Sequence, residues 1–384
     1  MSNENIGDKA VLLSPPTRLY VPKNTRRKTR TFSEYLWRKF VKIVFRNKNL
    51  WVDRFDILSS NIPRDVGGEI INICNARCTF CGYGKGEKGK AADYRVKGKL
   101  DRDVYTHTLK LFSESGGGVF SLSPILGEVS AHPDWLEMVK EAVSYPNIRG
   151  VSCFSNAILL DKFGSKEILT SGISALSIST ALGSQEQYQR VYGVDKYEKV
   201  VSNIFDLLKT NNELGKPVDV SVLLRIDKPY DEFFNTEIYK ELVQHIDPLK
   251  IEILDDFWDD FKGLIPREDL PKGQIFKTQQ PDKTLPCYAM YRKLQVMLDG
   301  TMQPCSCRVE PELWGGNIKD YDSLEAAWQD PQIESLRQKW HGGEMPDCCK
   351  KCSHYQPYTN LARGYSPALV IPRVAKALWR RIKF

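Results

Sequence analysis

From Asp65 onward the chain alternates between short apolar runs and longer amphipathic stretches. Apolar runs bounded by turn formers predict strands, and the intervals between them are long enough for one helix each, which is the pattern of parallel strands joined by helical crossovers. Strands are expected at 69–73, 120–123, 150–154, 175–179, 218–224 and 251–254. Helical spacing is plain over 197–209, where Val200, Val201, Ile204, Leu207 and Leu208 share one face. Six strands are too few to close an eight-stranded barrel, so the expected fold is α/β, a partial (β/α)6 TIM-like barrel over 64–275. After Pro281 the pattern changes to a hairpin around residues 298–300 and a helix near Leu324–Trp328, a small unit spanning 276–360.

Both ends differ from this body. Residues 32–48 follow Thr31 as an N-cap and set Glu34, Arg38, Lys42 and Arg46 opposite Phe32, Leu36, Phe40, Ile43 and Val44. Residues 368–384 set Val374, Leu378, Trp379 and Ile382 against Arg373, Lys376, Arg380, Arg381 and Lys383. Each reads as a basic amphipathic helix, one in an extension over 1–63 and the other in a tail over 361–384. The net charge of +7 is lopsided in the same way: residues 1–63 carry 13 Lys or Arg against 5 Asp or Glu, and 361–384 carry 6 basic residues and no acid, leaving the body acidic. The basic ends are expected to pack on that body or to touch an anionic membrane interface.

At 384 residues and 41% hydrophobic content the chain can bury a large barrel and an appended unit. It has ten cysteines and no leader pattern, and no apolar run approaches the 18 or so residues of a membrane span. That combination predicts a reducing, cytoplasmic setting in which thiols serve metal, with peripheral membrane contact through the termini as the variation.

Cys74, Cys78 and Cys81 stand in NICNARCTFCGY as C-x3-C-x2-C, directly after the first apolar run. Soft thiolates favour iron-sulfur clusters or zinc over hard cations, and three of them would leave one iron of a cubane open. The competing reading is a zinc knuckle that borrows His107 or His132. The array, with Asn75 after the first cysteine and Phe80 before the last, resembles the signature of the radical SAM superfamily. The resemblance implies a 4Fe-4S cluster whose open iron binds S-adenosyl-L-methionine (SAM). It also implies a reducing donor such as flavodoxin or ferredoxin, and a 5'-deoxyadenosyl radical that takes a hydrogen atom from substrate.

The same resemblance carries over to the SAM contacts. Gly127-Glu128, followed by His132-Pro133-Asp134, resembles the family's GGE motif, with Leu126 where its first glycine stands, and Glu128 inherits the methionine amino group. Ser155-Asn156-Ala157 stands where relatives often have Thr-Asn-Gly, and Ser179 ends the fourth strand. YQRVYG matches the segment whose arginine meets the SAM carboxylate, which makes Arg190 the candidate, since a guanidinium gives two parallel hydrogen bonds. Arg225, at the end of the fifth strand, is a further SAM or substrate contact, and one of Asp255, Asp256, Asp259 and Asp260 is a candidate to orient substrate or accept a proton. His132 and Cys153 read as structural.

The later cysteines form a second set: Cys287, Gly300 and Cys305 as C-x12-G-x4-C, then Cys348, Cys349 and Cys352. The block resembles the Twitch or truncated SPASM domain, which implies an auxiliary 4Fe-4S cluster on Cys287, Cys305, Cys349 and Cys352; a zinc ribbon is the competing reading. Cys307 and Cys348 remain as alternative ligands, hydrogen donors or bases, or inert thiols. The spacing looks most like the Twitch dehydrogenases that oxidise an aminocyclitol alcohol, so the first expectation is oxidation of a sugar or cyclitol alcohol. Alternatives are a maturase acting on a ribosomal peptide or protein and a redox-neutral epimerase. An RNA-binding or RNA-modifying iron-sulfur protein is the reading from outside this class, with nucleic acid not the expected partner.

Overall fold

The computed structural model describes residues 61–82, 96–255, 258–261, 263–277, 283 and 285–357. The two basic amphipathic helices and Asp256 lie outside the described residues. In order the elements are β1 (Asp65–Gly68), α1 (Arg102–Glu114), β2 (Gly118–Ser121), α2 (Trp135–Ser144), β3 (Ile148–Ser155), α3 (Ser165–Thr170) and β4 (Ile173–Thr180). There follow α4 (Gln185–Tyr192), α5 (Tyr197–Glu213), β5 (Asp219–Leu224), α6 (Tyr230–Phe234), α7 (Glu237–His245) and β6 (Ile251–Ile253). The C-terminal part adds β7 (Lys293–Val296), β8 (Met302–Gln303), α8 (Leu324–Trp328), α9 (Pro331–His341) and α10 (Asp347–Lys350).

Strands β1 to β6 lie side by side in chain order and every pair is parallel, the winding of a TIM-type barrel. The sheet does not close. Beyond β1 it continues into β7, paired parallel to β1, and β8, paired antiparallel to β7. The hairpin expected of a separate small unit is thus the end of the barrel's own sheet, and it seats the second cysteine set against the barrel.

The strand expected at 69–73 is displaced. Pairing occurs at Asp65–Gly68, whose two glycines hide it from a hydrophobicity pattern. Gly67 is crowded: a Cβ there would come within 3.0 Å of the Ser121 carbonyl and 3.1 Å of Gln295 Oε1. The apolar run that looks like a strand instead enters the core as a loop, with Ile70 and Ile71 buried and Ile71 bridged to Lys99. The second strand likewise begins two residues earlier than expected, whereas β3, β4, β5 and β6 fall within two residues at each end.

One face of the sheet meets the helices and is apolar: Val66, Phe120, Val151, Leu176, Ile178, Val222 and Leu224 all sit in the main core. The other face is polar. Gln295, Gly67, Ser121 and Ser152 stand abreast. Phe154, Ser177 and Ser221 form the next row, with the two serine hydroxyls 3.0 Å apart, and Glu252 pairs with Leu223. Phe154 is 42% exposed on this face, so it is open space rather than packed core. Among the described residues no helix is long and apolar enough to cross a membrane.

Candidate functional site: a cysteine loop at the strand ends

The chain leaving β1 carries Cys74, Cys78 and Cys81 along the C-terminal ends of the strands, and main-chain hydrogen bonds hold it there. Arg77 N donates to Tyr192 O (3.0 Å), Thr79 N to Val191 O (2.9 Å), and Glu128 N to Ile73 O (3.0 Å). Two glycines permit these approaches. At Gly127 (φ +120°) a Cβ would sit 2.4 Å from Ile71 O, and at Gly193 (φ +68°) 2.4 Å from Arg77 O. The YQRVYG segment therefore serves first as the clamp on the cysteine loop.

Glu128 is buried, and its carboxylate accepts from Ser130 N (3.1 Å), Ser130 Oγ (2.6 Å), Ser155 Oγ (2.7 Å) and Asn156 N (2.7 Å). Oε1 takes three of these donors and Oε2 one, so Oε2 keeps a lone pair open. The side chain expected to bind a ligand amine thus ties the end of β3 to the loop after β2. Asn156, placed by that tie, turns its amide to Asn75 Oδ1 (2.7 Å) and towards Cys74 Sγ (3.9 Å).

Arg190 pairs with Asp227 (2.5 Å), so one arm of its guanidinium is taken and the rest is half-buried. Arg225 reaches the expected place: its guanidinium lies 4.3 Å above the Phe80 ring and donates to Ser179 Oγ and, at 3.3 Å, to Tyr192 OH. Trp258 packs edge-on to Phe80 (5.3 Å). Asp255 pairs with Lys228 (2.8 Å). His132 accepts from Asp134 N, and Cys153 is buried with its thiol pushed up to about 12 by desolvation, so both are structural.

Two carboxylates stand out that the pattern did not single out: Asp259, one of the four acidic candidates, and Glu252, to which it gave no role. Asp259 is buried and accepts from Arg308, Phe261 N (2.7 Å), Ser353 N (2.8 Å) and Ser353 Oγ (2.7 Å). It joins the loop after β6 to two residues that directly follow cysteines. Glu252 sits on the polar face of β6 with its carboxyl pushed up to about 7 by burial, an effect Arg225 opposes.

The donor sets fit iron-sulfur clusters. Burial, above all, pushes Cys74 up to about 11, with the charges of Glu128 and Cys81 adding to it, and pushes Cys78 well above the thiol range, with Cys81 and Cys74 adding. Their thiolates call for a cationic partner. Around the polar face, Asn75 Nδ2, Ser123 Oγ, Arg225 Nε and Glu252 Oε1 are buried without a hydrogen-bond partner among the described residues. Polar atoms in that state fit a hydrogen-bonding ligand such as SAM.

In the second set, burial raises the thiols of Cys287 and Cys352, the neighbouring Cys348 raises that of Cys349 and Cys305 that of Cys307, and the Cys305 charge adds to the first three. Cys307 donates its N–H to Cys305 Sγ (3.2 Å), and its thiol also donates there, drawing Cys305 down to about 6. Cys348 is buried behind Cys349, with its sulfur 3.8 Å from that of Cys349 and its N–H on Glu312. Among the described residues no three His, Cys, Asp or Glu side chains are gathered tightly enough for a single metal ion.

Two family models match the chain: the radical SAM superfamily over 69–225, and the iron-sulfur cluster-binding SPASM domain over 287–353. The chain belongs to the radical SAM superfamily. This radical SAM enzyme therefore carries a SAM-binding 4Fe-4S cluster and a SPASM-type auxiliary 4Fe-4S site, on the partial-barrel fold read from its strand pattern. It is 22% identical over 276 residues to a probable GTP 3',8-cyclase of Saccharolobus islandicus, covering 64% of this chain and 83% of that one. To the GTP 3',8-cyclase of Cronobacter sakazakii it is 25% identical over 160 residues, 39% of this chain and 46% of the relative, so the match spans about half of that relative's length. In structure it resembles Streptococcus suis SuiB bound to S-adenosylmethionine, with a TM-score of 0.52 at 15% identity over 88% of this chain and 86% of that one. At that identity the likeness is one of fold.

Proposed function

We propose that this radical SAM enzyme oxidises a hydroxyl-bearing carbon of a small polyhydroxylated molecule, of the sugar or cyclitol class, to a ketone. The observation that carries this reading is the polar face inside the sheet, where Ser121, Ser152, Ser177 and Ser221 lead across to Glu252. Hydroxyls and one carboxylate arrayed on strands suit a ligand that presents several hydroxyl groups. When bound, SAM on the cluster held by Cys74, Cys78 and Cys81 supplies a hydrogen-abstracting radical, and the auxiliary cluster on Cys287, Cys305, Cys349 and Cys352 supplies an acceptor for one electron.

The remaining work falls to the chain. Arg225, fixed over Phe80 and on Ser179, holds positive charge at the mouth of the polar face. Glu252, with its carboxyl near 7, is ionised in part at neutral pH and accepts the proton of the reacting hydroxyl. The curated relatives are named as acting on GTP; a triphosphate would meet the Glu252 carboxylate with like charge, which favours an uncharged or amine-bearing substrate here.

The test is hydrogen transfer. Reconstituted protein, SAM and dithionite are incubated anaerobically with sugars and cyclitols deuterated at carbinol carbons. Deuterium in 5'-deoxyadenosine together with a ketone product is expected. Labelling by a deuterated peptide and by none of the alcohols would overturn the reading.

A redox-neutral epimerisation is the second reading, favoured by the fifth thiol, Cys307, beside a four-cysteine ligand set. It predicts solvent deuterium in an unoxidised product formed in D2O.

A further inference from the structure

Lys283 is buried in the C-terminal part of the chain, four residues before Cys287. Its ammonium donates to three carbonyls of one loop: Cys349 O (2.9 Å), Lys350 O (2.8 Å) and Cys352 O (2.8 Å). Three donors on three acceptors satisfy the group in its charged form. The ammonium lies 5.7 Å from the Tyr355 ring centre, and Trp340 Nε1 donates to the Lys283 carbonyl (3.5 Å). Desolvation holds the Lys283 ammonium below the ordinary lysine value, and the charges of Cys352, Cys349, Asp259 and Cys287 oppose that lowering.

The neighbouring charges differ from this one. Arg308 is buried with its guanidinium on Asp259, so the two compensate each other. His354 is neutral near pH 7, its ring pushed down to about 4 by burial. The hydrogen bonds of Lys283, by contrast, go to neutral carbonyls.

We propose that Lys283 is a positioning and tuning residue of the auxiliary cluster. Its three hydrogen bonds set the loop that presents Cys349 and Cys352, and its positive charge stabilises the cluster's reduced state. Reduction adds one negative charge to a buried group, and a fixed cation nearby in a low dielectric favours that state, raising the potential. The inference concerns the auxiliary cluster alone and holds whatever the substrate is.

The experiment uses the full chain, reconstituted anaerobically, as wild type, Lys283→Gln and Lys283→Arg. Iron is counted, and each cluster's midpoint potential is followed by EPR-monitored redox titration. Lys283→Gln keeps hydrogen-bond donors without the charge; it is expected to lower the auxiliary potential and leave that of the SAM-binding cluster unchanged. Lys283→Arg is expected to bring the auxiliary potential back towards wild type. A fully loaded Lys283→Gln protein with wild-type potential overturns the proposal. So does loss of about half the iron in both variants, because Lys283 would then only hold the loop together.

Discussion

Glu252 is where a single side chain makes the proposed chemistry measurable. Burial raises its carboxyl to about 7, so the fraction able to accept a proton rises with pH through that value. Turnover on the identified substrate is expected to climb between about pH 6 and 8 and level off above, the lower arm reporting Glu252. Glu252→Gln should lower kcat roughly 10²–10⁴-fold and flatten that arm. SAM binding and iron content should stay as in wild type. An unchanged profile in the variant would remove Glu252 from proton transfer. The linked stability runs the opposite way: a carboxyl whose folded value is raised favours the folded state most below its ordinary 4.5, and the benefit fades as pH rises towards 7. Glu252 was hard to single out from the chain alone, because IEIL reads as a buried strand and only pairing with β5 shows which way its one polar residue faces.

At the scale of elements, the cysteine loop depends on how α4 ends. Gly193 closes that helix in the left-handed region, and its missing side chain lets the Arg77 carbonyl come close. Gly193→Ala is expected to cost more than ~1 kcal/mol and to impair loading of the SAM-binding cluster, because the strain falls on the loop bearing Cys78. Gly98→Ala, where an added Cβ meets nothing within 4 Å, serves as the control for thermal melting and iron content. The strands after β1, and the inward face of α5 at Val200, Ile204, Leu207 and Leu208, were legible from periodicity because burial on a single face imposes it. β1 was not legible, since close contact at Gly67 requires glycine and glycine carries no hydrophobic signal. The joining of β7 to β1 was equally hidden: a pairing across more than 220 residues leaves no local mark.

For the whole molecule, two 4Fe-4S clusters mean about eight irons per chain. Replacing Cys287 by Ser should leave about four, with 5'-deoxyadenosine still formed from SAM under dithionite and ketone formation lost. Eight irons in that variant would point to Cys307 or Cys348 as a substitute ligand. The sheet running from β6 through β1 to β8, and Asp259 holding Arg308 and Ser353, make one body of what the cysteine spacing presents as two. Iron loss at the auxiliary site should therefore also be felt in the loop after β6.

Motif spacing pointed to thiolate-held metal, and the family resemblance of those motifs made it iron-sulfur and SAM chemistry. Thiols at 74, 78 and 81, and again from 287 to 352, resemble the cysteine motifs of the radical SAM and SPASM families, and soft thiolates in such sets suit iron-sulfur clusters. Folding gave the individual polar residues partners that spacing does not show. Glu128 became a tie with four donors, Arg190 a partner of Asp227, Asp259 a clamp and Lys283 a buried cation. A charged side chain takes its role from the partners it meets once water is excluded, and those partners come from distant parts of the chain.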